Sequence, residues 1–378
     1  MVNIAKTDFI YLSENDMIRA GVTDMARCVE EMEEVLKLLA KGDYMMSGAN
    51  HNSHGAMVSF PDNPVFPNMP KNGPDRRFMA MPAYVGGKYD MAGMKWYGSN
   101  VENVKKGLPR SILMLMLNDK DTGEPKALMS ANLISAYRTG AIPAVGVKHL
   151  APAGAKVLGI VGPGNVSKAM TEAFFAVCPT LEKVKVNGRS EASLERYIKF
   201  VREHCPNVKE IQVVETIEAA VRDSDVVGIA TSSPVKVEDY PFIEEEWIKP
   251  GALLCLPATV NFSEDFIAHR CKKVVDNMGL YDAWAEEFPY PTFGDITIIG
   301  SKFTDMMHEG KILREDVVNI GDILSGEAPG RTDEKEIILY SVGGMPVEDV
   351  AWGKVIYDNA IEKGIGVNLN LWEGPAML

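Results

Sequence analysis

Between Met25 and Leu39, apolar residues recur in alternating steps of four and three, at Met25, Val29, Met32, Leu36 and Leu39. That spacing places them on one stripe of an α-helix. Ser13 and Thr23 are N-cap candidates, and Gly42 suits the left-handed residue just past a helix end. From His51 to about Pro125 the pattern shortens to AMVSF (56–60), RFMAMPAY (77–84), MAGMKWY (91–97) and SILMLML (111–117), separated by Pro, Gly and Asn clusters. These runs predict a mostly antiparallel sheet. NDKDTGEP (118–125) reads as a turn between two strands, and SANLISAYRTGA (130–141) as capping residues followed by helix formers. Pro143 is expected to kink or end that helix.

From Lys156 the period changes again: KVLGIV, VKVNG, EIQVV, DVVGIA, ALLCL and CKKVVD are short apolar runs, separated by stretches long enough to hold helices. This alternation predicts parallel strands with crossover helices. After about Asp316 come one helical stretch (DVVNIGDIL), one strand (KEIILYSV, 335–342) and one amphipathic helix (PVEDVAWGKVIYDNAIEKG, 346–364), and the alternation stops. The expected fold is α/β, with a Rossmann dinucleotide-binding domain at 143–315 inserted into a mixed α+β domain made of 1–142 and 316–378. No internal repeat is visible.

The chain has 378 residues, 46% apolar and 24% charged, enough for two domains with substantial cores. No uninterrupted apolar stretch is long enough to cross a bilayer, and MVNIAKTDFIYLSEND lacks the basic-then-apolar layout of a secretory signal. A cytoplasmic protein is therefore expected. Its five cysteines (Cys28, Cys178, Cys205, Cys255 and Cys271) form no CxxC pair, so neither a disulfide frame nor a metal site is indicated. The formal net charge of -13 disfavours nucleic acid and anionic membranes as partners. Small metabolites remain the expected ligands.

Val157 to Ser167 reads as a strand entering a Gly-x-Gly-x-x-Ser turn (Gly162, Gly164, Ser167), followed by the helical text KAMTEAFFAV. The first glycine permits the tight turn and the second lets the backbone approach a pyrophosphate, while the helix start offers free N–H groups. Strand, turn, helix and second strand occur in the order a dinucleotide site requires. The second strand ends in Asn187-Gly188-Arg189-Ser190, without the acidic residue that would bind a ribose 2′-hydroxyl. Arg189 and Ser190 suit a 2′-phosphate, so NADP(H) is preferred over NAD(H); a solvated loop arginine is the plainer alternative.

In the first part of the chain, strand alternation puts Lys95 on the face of Gly93 and Tyr97, among residues expected to be buried. A buried lysine needs an anionic partner. Arg138 lies among small and apolar residues on a helix, where a guanidinium can clamp a carboxylate through two parallel bonds. For both, a structural ion pair competes with a substrate site. His51 and His54, in NHNSHG, lie on a loop that is either solvated or faces a cleft; His54 is retained as a substrate-binding candidate.

Together, MPAYVGG, GMKW, GLPR (107–110), TGEPKALM, ISAYRTGA, GIVGPGNVS, PGR (329–331) and LYSVGGMPVEDVA resemble the ornithine cyclodeaminase/mu-crystallin family over nearly the whole chain. The resemblance implies a substrate and dimerisation domain, built from both chain ends, around a Rossmann domain, and a homodimer. It also implies that Lys95 and Arg138 contact the substrate carboxylate and the reacting centre. Gly162, Gly164, Asn165, Val166 and Ser167 match the family's pyrophosphate loop. Arg189 and Ser190 match the 2′-phosphate loop of NADPH-using members and Thr231 falls at the cofactor cleft, while Asn187 is a further cofactor-binding candidate.

Two departures narrow the activity. Cyclodeaminases carry an aspartate after the fifth Rossmann strand, where this chain reads Cys255-Leu256-Pro257-Ala258-Thr259-Val260-Asn261. The early arginine by which many members bind carboxylate is also missing from NHNSHGAMVSF. Residues 284–311 look longer than usual, and are read as a lid or an oligomer contact. The resulting expectation is NAD(P)H-dependent reduction of the C=N bond of a 2-imino acid, or the reverse oxidation of an amino acid. The alternatives are a cyclodeaminase that recycles its NAD+ and a non-catalytic NADPH- or ligand-binding protein.

Overall fold

A computed structural model describes residues 5–231, 234 and 236–377. In chain order, the first half comprises β1 (Thr7–Leu12), α1 (Glu14–Ala20), α2 (Met25–Lys41), β2 (Tyr44–Met46), β3 (Ala56–Ser59), β4 (Arg77–Val85), β5 (Met91–Ser99), β6 (Ser111–Asn118), β7 (Pro125–Ser130), α3 (Asn132–Leu150), β8 (Val157–Val161), α4 (Asn165–Val177) and β9 (Lys183–Asn187). There follow α5 (Glu191–His204), β10 (Glu210–Val214), α6 (Ile217–Val221), β11 (Val226–Ile229), β12 (Leu253–Leu256), α7 (Glu264–His269), β13 (Lys272–Val275), α8 (Met278–Glu287), α9 (Ile299–His308), β14 (Val317–Asn319), α10 (Ile320–Ser325), β15 (Ile338–Ser341), α11 (Pro346–Glu362) and β16 (Val367–Trp372). These assemble into two compact units. The first holds Met1–Asp24, Asp43–Ser135 and Met345–Leu378, and the second Met25–Gly42 and Ala136–Gly344.

In the first unit the strands run in the order β16-β1-β7-β6-β5-β4-β2, with β3 also pairing with β4. The central strands are antiparallel, with Arg77 opposite Ser99 and Val85 opposite Met91. Along β5, Met91, Gly93, Lys95, Tyr97 and Ser99 are buried, while Trp96 points the other way and is exposed. The strand period of two thus decides which side chains meet α11 on the inner face. Contact there is close: a Cβ on Gly93 would lie 3.1 Å from the Val350 side chain of α11. At the other end of the unit, Ser13 and Asp16 form a reciprocal capping box that starts α1.

The second unit is built on a sheet ordered β10-β9-β8-β11-β12-β15-β13-β14, and every pairing in it is parallel. β11, β12 and β15 are buried at every position, which explains why they read as unbroken apolar runs. The apolar stripe of α2 is buried as expected, and Gly42 ends the helix with φ +73°. The helix packs in the second unit, where a Cβ on Gly321 of α10 would meet the Ala40 methyl at 2.8 Å.

Three expectations are corrected. The stretch after Asp316 does not leave the parallel sheet at once: β15 lies between β12 and β13, and β14 pairs with β13 at the edge. The boundaries drawn at 142/143 and 315/316 therefore differ from the division of the folded chain, which passes between units at 24/25, 42/43, 135/136 and 344/345. The cause is that β15 returns to the middle of the sheet out of chain order, which breaks the strand-helix rhythm without ending the domain. DVVNIGDIL is not one helical stretch; Val317 and Val318 pair with Lys273 and Val274 before α10 begins, in keeping with the strand preference of β-branched residues. Pro143 lies inside α3 without ending it. Packing along a 19-residue helix outweighs the single backbone bond that proline removes.

Helix α3 also passes very near α4, because a Cβ on Gly140 would lie 2.5 Å from the backbone carbon of Ala169. Backbone cannot swing aside as a side chain can. Gly140→Val is therefore expected to destabilise the protein by about 1 to 3 kcal/mol through overpacking, read as a lower urea midpoint at unchanged slope. An unchanged midpoint would show that the two helices have more room than the coordinates allow.

Candidate active site

The phosphate loop is built entirely in the second unit. Strand β8 delivers the chain to Gly162, which takes φ +86° and would press any Cβ to 2.7 Å from the Ala230 carbonyl oxygen. Only glycine meets both conditions without strain. The Gly164 N–H donates to the Gly162 carbonyl at 2.9 Å, and the Ser167 hydroxyl donates to the same oxygen at 2.5 Å. Ser167, standing where the fingerprint prefers Gly or Ala, is thus fully buried beneath the loop and braces it.

Gly164 caps α4 without a side-chain bond, and nothing lies within 4 Å of where its Cβ would be. The opening N–H groups of a 13-residue helix therefore start from an open glycine that carries no side chain over them. The open backbone at Gly164, the pocket beside it and the donor set fit a pyrophosphate. Asn165 and Val166 form the first turn of the same helix.

A pocket of about 710 Å³ opens beside the loop, lined by Gly162, Gly164, Asn187, Arg189, Ser190 and Thr231 among others. Six of the residues singled out in the sequence thus share one cavity. Asn187 does more than line it: its side-chain amide donates to the Val214 carbonyl at 3.0 Å and its own carbonyl accepts the Gly162 N–H at 2.9 Å. It therefore ties β9 to β10 and to the loop. Arg189 and Ser190 sit at the end of β9, where α5 begins without a side-chain cap. Ser193, Asp239 and Pro241 also line the pocket, and no local motif marks them.

Thr231 donates its hydroxyl to the Thr259 carbonyl at 3.1 Å, and the Thr259 hydroxyl meets that of Thr297 at 2.6 Å. Just beyond, Asn261 accepts from the Lys302 ammonium at 2.7 Å. Lys302 comes from the long 284–311 segment, and burial holds its pKa below the usual lysine range. This segment folds as α8 and α9 within the second unit. Sequence reasoning missed Lys302 because nothing local shows that α9 returns to the loop after β12.

Arg138 lies on α3 in the second unit and is only 6% exposed. A Cβ on Gly344 would sit 2.6 Å from its Nη1, so the guanidinium packs directly on that turn.

Lys95 and His54 belong to the first unit. The Lys95 ammonium is buried on β5 and donates to Asp349 Oδ2 of α11 at 2.6 Å, with side-chain exposures of 3% and 0%. The structural ion pair that competed with a substrate contact is thus present for this residue. Asp349 was not singled out, although it stands in the motif LYSVGGMPVEDVA; its pairing crosses 254 residues of sequence. His54 is half-buried just before β3, and His51 is exposed with φ +59°.

A parallel sheet with a glycine phosphate loop at the end of its first strand, joined to an antiparallel unit made from both ends of the chain, defines a dinucleotide-binding two-unit protein. The chain belongs to the ornithine cyclodeaminase/mu-crystallin family, whose model matches residues 22–364. It is 28% identical over 368 residues to N-((2S)-2-amino-2-carboxyethyl)-L-glutamate dehydrogenase of Staphylococcus aureus, covering 97% of this chain and 99% of that one. It is also 28% identical to a Delta(1)-pyrroline-2-carboxylate reductase of Bacillus cereus over 305 residues, 80% of this chain and 87% of that one. Among solved structures, an archaeal alanine dehydrogenase dimer with bound NAD shares the fold at a TM-score of 0.76, with 24% identity, 97% of this chain and 100% of that one covered.

Removing one partner of a buried ion pair leaves an uncompensated charge. Asp349→Ala is expected to cost about 3 to 5 kcal/mol in urea unfolding, and Lys95→Met with Asp349→Leu appreciably less. Equal losses in the single and double variants would show that packing, and not charge pairing, is what Asp349 supplies.

Proposed function

We propose that this protein is an NAD(P)H-dependent oxidoreductase that reduces the C=N bond of a 2-imino acid, or oxidises the matching amino acid in reverse. The observation that carries this is the pocket at the Gly162–Gly164 phosphate loop, in a chain matched over 97% of its length by N-((2S)-2-amino-2-carboxyethyl)-L-glutamate dehydrogenase of Staphylococcus aureus. When bound, the dinucleotide supplies or accepts the hydride. Arg138 holds the substrate carboxylate through paired N–H bonds. Asp349 fixes the Lys95 ammonium at 2.6 Å. The Lys95–Asp349 pair handles the proton at the substrate nitrogen, with Lys95 Nζ as donor in the reductive direction. His54 is assigned to the substrate side.

The end-to-end match with the Staphylococcus aureus enzyme favours a secondary amine, in which the amino-acid nitrogen carries a second carboxylate-bearing group. Arg189 and Ser190, with no carboxylate at the end of β9, favour NADP(H). We further propose a homodimer formed through the outer face of β4, β5 and β6. There Phe78, Trp96, Ile112 and Met114 are exposed and border a concavity of about 620 Å³, on the side of an antiparallel sheet that is ordinarily polar. A second copy is the occupant that the archaeal alanine dehydrogenase dimer suggests.

Absorbance at the reduced-nicotinamide band is followed with Delta(1)-pyrroline-2-carboxylate for reduction, and with N-(2-amino-2-carboxyethyl)-L-glutamate, L-proline and L-alanine for oxidation. At least one should turn over, and Arg189→Ala should raise KM for NADPH about tenfold or more with little effect on NADH, as expected for loss of a bidentate phosphate contact. No turnover with any compound and either coenzyme would refute the reading. In sedimentation, the 41.5 kDa chain is expected at twice its mass, and Trp96→Glu at the single mass. A wild-type monomer at micromolar concentration would refute the dimer.

A further inference from the structure

The final turn of the second unit, Gly343–Gly344, hangs on a single carboxylate. Asp276, at the end of β13, is almost fully buried. Its Oδ2 accepts the N–H groups of Gly343 at 2.7 Å and Gly344 at 2.9 Å. Its Oδ1 accepts the Asn277 N–H and the Tyr281 hydroxyl, each at 3.0 Å. The Tyr281 hydroxyl also meets the Ser341 hydroxyl at 2.9 Å, and Ser341 accepts the Gly300 N–H of α9 at 2.9 Å. The long 284–311 segment thereby has a structural task, since α9 closes the far side of this polar cluster.

Gly344 takes φ +75°, and its missing Cβ leaves the space that Arg138 Nη1 fills. The turn is therefore both the platform under the guanidinium and the point that Asp276 anchors. Burying a carboxylate without a basic partner is costly, and burial raises its pKa above the usual aspartate range. Four donors on one buried group offset that cost and fix the turn's position. An apolar residue could fill the volume, but it could not orient two consecutive backbone N–H groups.

We propose that Asp276 is a positioning residue: through the Gly343–Gly344 turn it holds the Arg138 guanidinium in the orientation that receives the substrate carboxylate. This rests on the reading of Arg138 given above, and the two are separable by experiment. Asp276→Asn keeps the shape but turns one acceptor into a donor facing N–H groups, so the turn loosens. Tyr281→Phe removes one donor and is the milder variant, available where Asp276→Asn does not fold.

Two measurements test the proposal. Phenylglyoxal labelling of Arg138, mapped by mass spectrometry on folded protein, is expected to be slow in the wild type and several-fold faster in Asp276→Asn, with Tyr281→Phe between them. In a double-mutant cycle with the accepted imino or amino acid, Asp276→Asn should raise KM about tenfold with kcat changed less, and should add nothing in an Arg138→Ala background. A fluorescence-titrated NADH affinity unchanged by Asp276→Asn separates this from general loosening of the second unit. Unchanged labelling in every variant overturns the inference whatever the kinetics, and so does an Asp276→Asn effect of equal size with and without Arg138. A wild-type KM in Arg138→Ala would instead overturn the role given to Arg138 and, with it, the kinetic part of this inference.

Discussion

The buried pair of Lys95 and Asp349 is the constraint on which the first unit depends. Strand β5 can bury a lysine only if an anion meets it, and the C-terminal helix α11 brings that anion from 254 residues away. Neither charge is tolerable alone at that depth, so the early sheet and the late helix must arrive together. The same pairing defines the chemistry available at Lys95. A lysine held by a buried carboxylate has a fixed ammonium rather than a mobile one.

The second unit solves a different problem, that of presenting bare backbone to a phosphate. Gly162 and Gly164 clear the space, while Ser167 and Asn187 brace the loop from below and behind. Here the polar side chains and the Gly162 and Gly164 N–H groups work on the protein's own backbone, and the first turn of α4 supplies the donors for the ligand. Asp276 repeats the strategy after β13, nearer the opposite edge of the same sheet, where two glycine N–H groups are held by one carboxylate. In both places, glycine supplies close approach and a buried polar group supplies rigidity.

Family membership and the nucleotide site agree on the class of reaction, and the departure after β12 sets the chain apart from the cyclodeaminases within the family. The stretch Cys255–Asn261, where a cyclodeaminase is expected to carry an aspartate, holds no carboxylate, and its Asn261 accepts from the Lys302 ammonium. Without that carboxylate, the stretch has no group of the kind expected to handle a departing amine. Redox chemistry at the carbon–nitrogen bond needs no such group, because the hydride and one proton complete it.

Local patterns in the chain were enough for much of this. Apolar periodicity marked α2, the antiparallel strands and the parallel strands, because burial on one face or on two leaves a direct trace in residue order. The phosphate loop was legible for the same reason: a turn, two glycines and a helix start are contiguous. Order in the chain did not disclose that β15 returns between β12 and β13, that Val317 and Val318 join the sheet, or that α3 continues past Pro143. Nor did it reveal the partner of Lys95, the support under Arg138 or the reach of Lys302. Each of these is a contact between residues distant in sequence. Only the folded chain could decide them, because spatial proximity there is set by how the sheets and helices pack, which no local spacing records.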